Sequence, residues 1–233
     1  ALEVSLKSDD KILICESLKK ILTYYENIIN VDDTNYKVYI ELYKENIYDD
    51  IELSIYEYYN LLLNFKNNSQ STNHFNLTKA IDLERKFEKK NLKYYQGKIL
   101  RQIGIYYDLN KEYEISLINY EKANYIFTDL DYKMAEEQLM MTLINIAIVE
   151  MEKGSFKKAI NLLNKAKFKR INKVYNKNYR YLYYWVSETA SKQGNHKKAL
   201  KYLKLSNSVE DSLRQYRHTL QIADIETKYQ TAE

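Results

Sequence analysis

The sequence contains no proline and few residues of the kinds that stiffen or cross-link a chain. Its 233 residues include four glycines, one tryptophan and one cysteine. Because proline ends helices by removing a backbone donor, its absence allows long helices. Cys15 has no second cysteine to pair with, so no disulfide bond stabilises this chain from within.

The chain also lacks a long apolar run. Its most apolar stretch, from Leu139 to Val149, is interrupted by Thr142 and Asn145 and falls short of the ~18 residues of a membrane span. No basic-then-apolar leader begins at Ala1. A chain that starts with Ala and stops inside a helical pattern is expected to be a piece of a longer protein, so a leader or anchor elsewhere stays open.

Residue patterns that carry chemistry are missing as well. His74, His196 and His218 have no cysteine or carboxylate at a recurring ligand spacing, so we expect no metal site. No glycine-rich phosphate loop and no nucleophile turn of the G-x-S-x-G type occurs. The sequence therefore predicts a binding protein that is not an enzyme and needs no cofactor.

What the chain does contain is a repeated pattern, clearest between Met140 and Ile171. Large and small apolar residues alternate there at the spacing at which two antiparallel helices pack, with a glycine at the turn. The glycine is favoured because a left-handed residue satisfies the last carbonyls of the first helix. The pattern residues are Leu143, Ile146, Ala147, Gly154, Ala159, Leu163 and Ala166.

The same pattern recurs on both sides. Ala80, Ala123 and Ala166 lie 43 residues apart, and Ser206 follows 40 residues later. The equivalent positions are Ile103, Gly104, Tyr107, Ser116, Tyr120 and Ala123 upstream, and Val186, Ser187, Gly194, Ala199, Leu203 and Ser206 downstream. Small side chains repeating at this interval resemble tetratricopeptide repeats (TPRs), here with helices longer than in the ~34-residue standard repeat.

This period predicts an all-α, right-handed superhelical solenoid of antiparallel helix pairs with ten or eleven helices. Three regions are expected: degenerate repeats or a helical cap over 1–73, TPR-like repeats over 74–207, and an exit helix over 208–233. The polar run 67–73 is predicted to be a loop. One predicted helix starts near residue 33 and carries Tyr36, Leu42 and Tyr43. The other predicted helices span 9–27, 49–65, 77–87, 92–109, 112–127, 131–153, 155–168, 175–193, 195–206 and 208–233.

The apolar register of the predicted exit helix changes partway along it. Val209, Leu213 and Tyr216 would cover the last repeat, whereas Ile222, Ile225, Tyr229 and Ala232 form a rotated seam. Two interpretations are open: the start of a coiled coil, through which a homodimer would form, or a fraying helix end.

Charge is distributed unevenly. Residues 1–64 contain thirteen acids and six bases, whereas residues 155–204 contain fourteen bases and one acid, Glu188. The basic flank indicates an anionic partner, an acidic peptide or the acidic part of another copy, or else a solvated surface.

In a solenoid of helix pairs, the first helix of each pair lines the concave wall. Residues of the first helices that avoid the core positions are therefore the candidate ligand contacts. These are Arg101, Gln102, Met141, Asn145, Ile148, Tyr181, Tyr184 and Trp185.

Asn145 is the most informative of them, since an amide among apolar residues needs hydrogen-bond partners. It could bond both the N–H and the C=O of an extended peptide, or alternatively a neighbouring helix. Trp185 and the tyrosines beside it could stack on a ligand side chain, although aromatic residues at helical spacing also build cores. Met141 and Met151 would add adaptable apolar contacts beside Asn145, and Ile144 is expected on the same wall.

Two segments near the end of the chain have a more specific likeness. The run 194–203, GNHKKALKYL, and the run 222–229, IADIETKY, resemble the final repeat and exit helix of TPR sensor regions in bacterial signal-transduction proteins. That resemblance implies a histidine kinase or helix-turn-helix output beyond the exit helix, and a cytoplasmic or periplasmic location beside a membrane. Asn145 matches the asparagine with which peptide-binding members hold a ligand backbone. Ser187 and Ser206 stand where alanine is usual.

The predicted function is that of a peptide- or protein-binding sensor domain of a bacterial signalling or transcription regulator, with its ligand in the concave groove. The alternative is a structural scaffold that docks an acidic partner through the basic 155–204 flank. Nucleic-acid binding is disfavoured because no stacking motif or recognition helix is evident.

Overall fold

The computed structural model describes residues 2–28, 33–66, 76–167 and 177–230, and within these ranges every regular element is an α-helix. The eleven helices are α1 (Leu2–Ser8), α2 (Lys11–Ile28), α3 (Asp33–Glu45), α4 (Asp50–Lys66), α5 (Leu77–Lys89), α6 (Lys93–Leu109), α7 (Tyr113–Thr128), α8 (Lys133–Glu152), α9 (Phe156–Lys165), α10 (Lys177–Lys192) and α11 (His196–Gln230). The all-α prediction is confirmed. The predicted 67–73 loop lies outside the described residues.

Two compact units make up the chain, residues 1–142 and residues 143–233. The first unit has a core rich in tyrosine, in which Tyr36, Tyr43, Tyr58 and Tyr59 are fully buried. Such large side chains fill space between helices, and their hydroxyls need polar partners. The hydroxyl of Tyr43 finds one by donating to the carboxylate of buried Glu52.

Small residues let α6 and α7 approach closely in the first unit. A Cβ atom on Gly104 would lie 2.5 Å from the ring of Tyr120, and one on Gly97 would lie 2.7 Å from the ring of Phe127. Ser116 donates its hydroxyl to the Gly104 carbonyl at 2.9 Å. The two glycines therefore make room for aromatic rings of the neighbouring helix.

The second unit repeats this arrangement with different residues. Ala147 and Ala159 are buried as predicted. Where serine replaces the usual alanine, its hydroxyl has a partner across the helix pair: Ser187 donates to the Ala199 carbonyl at 2.8 Å, and Ser206 donates to the Arg180 carbonyl at 3.1 Å. The serines therefore add hydrogen bonds at close helix contacts without leaving a buried polar group unsatisfied.

Turns between paired helices use the left-handed backbone conformation. Gly154 and Gly194 have φ values of 79° and 75°, as the repeat pattern predicts for glycine at these turns. In the α6–α7 turn the left-handed residue is Lys111, with φ of 62°. The turn geometry is thus kept even where glycine is absent.

Several side-chain and boundary predictions are wrong. The helices predicted over 195–206 and 208–233 form the one helix α11, since no proline or glycine interrupts it. Leu203, expected in the core, is 38% exposed. Tyr216, expected to cover the last repeat, is 39% exposed.

Candidate functional site

All eight residues proposed to contact a ligand keep some solvent access. Arg101, Gln102 and Met141 belong to the first unit, and the other five belong to the second. Arg101 donates from Nη2 to Gln138 Oε1 at 3.1 Å, so part of its guanidinium already has a partner. Of the first-unit candidates, Arg101 is thus partly hydrogen-bonded within the protein, whereas Gln102 and Met141 are half-buried.

In the second unit, the C-terminal ends of α8 and α10 are in contact. Thr189 Oγ1 donates to Met151 Sδ at 3.5 Å, and Lys192 Nζ lies 3.4 Å from Glu152 Oε1. The members of the two pairs are 38 and 40 residues apart. Because α8 and α10 are alternate helices of a chain of antiparallel helix pairs, we infer that they run in the same direction. The same offset then assigns Asn145 of α8 to the level of residues 183–185 of α10, which include Tyr184 and Trp185.

Asn145 lies at the centre of this shared face, which we name the α8/α10 face: Asn145, Ile148, Tyr181, Tyr184 and Trp185. Among the described residues, the Asn145 Nδ2 atom has no hydrogen-bond partner although it is covered from solvent. An unsatisfied buried amide costs about 1–3 kcal/mol. Rotation of the side chain about χ2 would turn the amide towards an incoming carbonyl without breaking a bond to the protein.

Aromatic rings flank the amide. Tyr184 and Trp185 form an edge-to-face pair with centroids 5.2 Å apart, and Tyr184 is 38% exposed. Tyr181 is less available, because the Arg180 guanidinium lies 4.5 Å from its ring centroid and Lys177 Nζ lies 5.8 Å from it. Tyr184 and Trp185 are therefore the better stacking candidates.

Two residues expected to add apolar contacts to the face do not. Ile144 and Met151 are only 1% and 2% exposed. Met151 is held by the hydroxyl of Thr189 on the neighbouring helix. Both side chains therefore belong to the core.

The basic flank has both paired and unpaired lysines. Lys158 Nζ lies 2.7 Å from Glu150, and Lys167 Nζ lies 5.4 Å from the ring centroid of Tyr202. Lys197, Lys201 and Lys204 are exposed and form no ion pair within the part of the chain that the structure describes. The flank therefore keeps free positive charge on α11.

Two features of the first unit were not predicted from the sequence. One is the fully buried Lys98, whose Nζ lies 2.6 Å from Glu26 Oε2 and within 4.7–5.5 Å of four tyrosine ring centroids. The other is a groove of about 490 Å³ between α5 and α7, where acidic and apolar side chains meet. The exposed apolar residues of α7 at helical spacing, Ile115, Ile118 and Tyr125, could have indicated the groove.

Within the described residues, no group of histidine, cysteine and carboxylate side chains is placed to hold a metal ion. Over the same ranges, no helix is both long and apolar enough to cross a membrane.

Comparison with solved structures identifies the architecture. BtubC (BKLC) from P. vanneervenii superposes with a TM-score of 0.62 at 11% identity, covering 91% of this chain and 88% of its own. A Podosopora anserina protein of the kinesin-light-chain type with nearly identical TPR-like repeats gives a TM-score of 0.52 at 10% identity, covering 84% and 94%. A variant of that protein with one substitution gives 0.55 at 10% identity, covering 86% and 96%.

The chain has a TPR-like solenoid fold. None of the protein-family models matches the sequence, and no curated protein matches it significantly. At such low identity the structural likeness establishes the TPR-like architecture and leaves the ligand to be argued from the residues themselves.

Proposed function

We propose that this TPR-like protein is a non-catalytic module that binds an extended peptide segment on the α8/α10 face. The observation that carries the proposal is the Asn145 amide, whose buried Nδ2 atom has no hydrogen-bond partner among the described residues. The inferred register of α8 and α10 assigns it to the level of Tyr184 and Trp185. A peptide backbone offers both a carbonyl and an N–H to such an amide. A side chain of the same peptide would stack on the two aromatic rings.

Charge defines the expected ligand further. The basic flank around the face favours a peptide with acidic side chains or a free C-terminal carboxylate. By its likeness to TPR sensor regions, the protein is proposed to act as the sensor of a bacterial signalling or transcription regulator. Long helix α11 would then transmit the bound state to an output domain.

The test starts from a displayed library of random peptides with free C-termini, selected on the full chain. Titration calorimetry with a selected peptide should show that Asn145→Ala and Trp185→Ala each weaken binding by more than about 1 kcal/mol. The midpoint of urea unfolding should change little for Asn145→Ala, since no bond to the protein is lost. Asn161→Ala, on the exposed side of α9, is the matched control and should bind normally.

Two outcomes would contradict the proposal. Selection that yields no peptide would argue against an extended ligand. Asn145→Ala and Trp185→Ala variants that unfold at lower urea concentrations, with no separate loss of affinity, would show that both residues belong to the core.

A second candidate function is a scaffold that docks an acidic partner through the basic flank. The exposed lysines of α11 that have no ion pair in the described part of the chain favour it. Binding of oligoglutamate that weakens as salt is raised, and that is lost in Lys201→Glu/Lys204→Glu, would support this function.

A further inference from the structure

The groove between α5 and α7 combines exposed apolar surface with three carboxylates, those of Glu84, Glu88 and Glu121, and one lysine, Lys122, so its charge is negative on balance. Its floor contains Leu100 of α6, and its α7 wall carries Ile118 and Tyr125, which are 53% and 78% exposed. Glu88 and Glu121 stand exposed along the groove and form no ion pair in the described ranges. Exposed apolar surface beside unpaired charge is typical of an interaction site.

Helix α11 carries the complementary pattern. Lys197, Lys201 and Lys204 follow each other at four- and three-residue spacing, so they form one stripe along the helix. Leu200, 54% exposed, lies between them, and Leu205, 38% exposed, lies beside them. This stripe would place leucines against the apolar wall of the groove and ammonium groups beside its carboxylates.

We propose that the α11 stripe of one molecule docks in the α5/α7 groove of a second copy. The inference builds on the second candidate function, since it identifies the acidic partner as another copy of this chain. Opposite charges would set the register of the two helices, while burial of Leu200, Ile118 and Tyr125 would supply the driving force. Because the two surfaces differ, the contact is head-to-tail.

Sedimentation of the full chain over a concentration series provides the test. The mass of the wild type should rise with concentration and fall back when salt is added. Glu88→Lys/Glu121→Lys and Lys201→Glu/Lys204→Glu should each weaken self-association at least roughly tenfold, because like charges then face each other. Mixing the two variants should restore one complementary contact and produce a complex that neither variant forms alone.

Matched controls change the same charges elsewhere. Glu41→Lys/Glu45→Lys on α3 and Lys157→Glu/Lys165→Glu on α9 alter exposed residues outside the two surfaces and should associate as the wild type does. Glu88→Lys/Glu121→Lys should still bind a peptide selected for the α8/α10 face, which shows that the protein is folded.

A wild type that stays monomeric up to its solubility limit would overturn the inference, as would variants that fail to complement each other. If a monomeric wild type still binds oligoglutamate through α11, the scaffold function stands and only the second copy is excluded. If neither binding nor association occurs, both fail.

Discussion

The buried lysine of the first unit leads to a quantitative prediction about stability. Lys98 of α6 is fully buried, and its ammonium group is paired with Glu26 of α2 at 2.6 Å. Ring centroids of Tyr58, Tyr59, Tyr94 and Tyr95 lie 4.7, 5.3, 5.3 and 5.5 Å from Nζ. The ammonium thus joins α2, α4 and α6, since the tyrosines come from α4 and α6.

Lys98→Met keeps the volume of the side chain but leaves the Glu26 carboxylate without its counter-charge. Glu26 Oε1 is already buried without a partner among the described residues, so the carboxylate has little other solvation. Breaking a buried ion pair from one side costs about 3–5 kcal/mol. We expect Lys98→Met to lower the free energy of unfolding by that amount.

A substitution at the other partner of the ion pair should lower the free energy of unfolding by less. In Glu26→Gln the ammonium keeps its four aromatic neighbours, and a desolvated cation–π contact contributes about 2 kcal/mol. The tyrosine faces stabilise a cation but give nothing to a carboxylate. The expected loss for Glu26→Gln is therefore about 1–3 kcal/mol, smaller than for Lys98→Met.

Urea unfolding followed by circular dichroism measures both variants. Lys93→Met, on the same helix, is the matched control: Lys93 pairs with Asp129 at 2.8 Å, but both side chains are about half exposed or more, and little change is expected. The reasoning is refuted if Lys98→Met is neutral, or if Glu26→Gln destabilises the protein as much as Lys98→Met.

Two further predictions concern the buried tyrosines of the first unit and the glycines of the repeat pattern. Burial raises the pKa of Tyr58, Tyr59 and Tyr95 well above the usual value. The folded state therefore holds these protons more tightly than the unfolded state does. The free energy of unfolding is unaffected below pH ~10, the pKa of unfolded tyrosine, and falls as the pH rises further. In a pH titration, the absorbance of tyrosinate should show that some tyrosines ionise only at the pH at which the helical circular dichroism signal is lost. Ionisation of all tyrosines in one step near pH ~10, with the helical signal intact, would contradict this. Gly104→Ala should lower the free energy of unfolding by about 1–3 kcal/mol, because the added Cβ atom overpacks against the Tyr120 ring. The Cβ atom of Gly154→Ala would meet no atom within 4 Å. That variant should lose about 1–2 kcal/mol only because alanine is strained in the left-handed conformation. Urea midpoints measure both variants, and a neutral Gly104→Ala would mean that the Tyr120 ring can move aside.

The candidate site was only partly predictable. All eight proposed contact residues keep solvent access, and the side of each helix that packs inward could be predicted because small core residues recur at a fixed spacing. The engagement of Tyr181 by Arg180, and of Arg101 by Gln138, depends on rotamers that helical spacing does not specify. The burial of Met151 depends on a hydroxyl of α10, 38 residues further along the chain.

The sequence by itself determined the helices and their pairing. Helix formation, the glycine turns and the contacts of Ala147 and Ala159 depend on residues close together in the chain, so their spacing is visible in it. Only the tertiary structure decided where charge and aromatic rings meet. Lys98 and Glu26 are 72 residues apart, and the α5/α7 groove takes its lining from three helices. Neither arrangement has a local spacing, because each arises from the way separate helices pack.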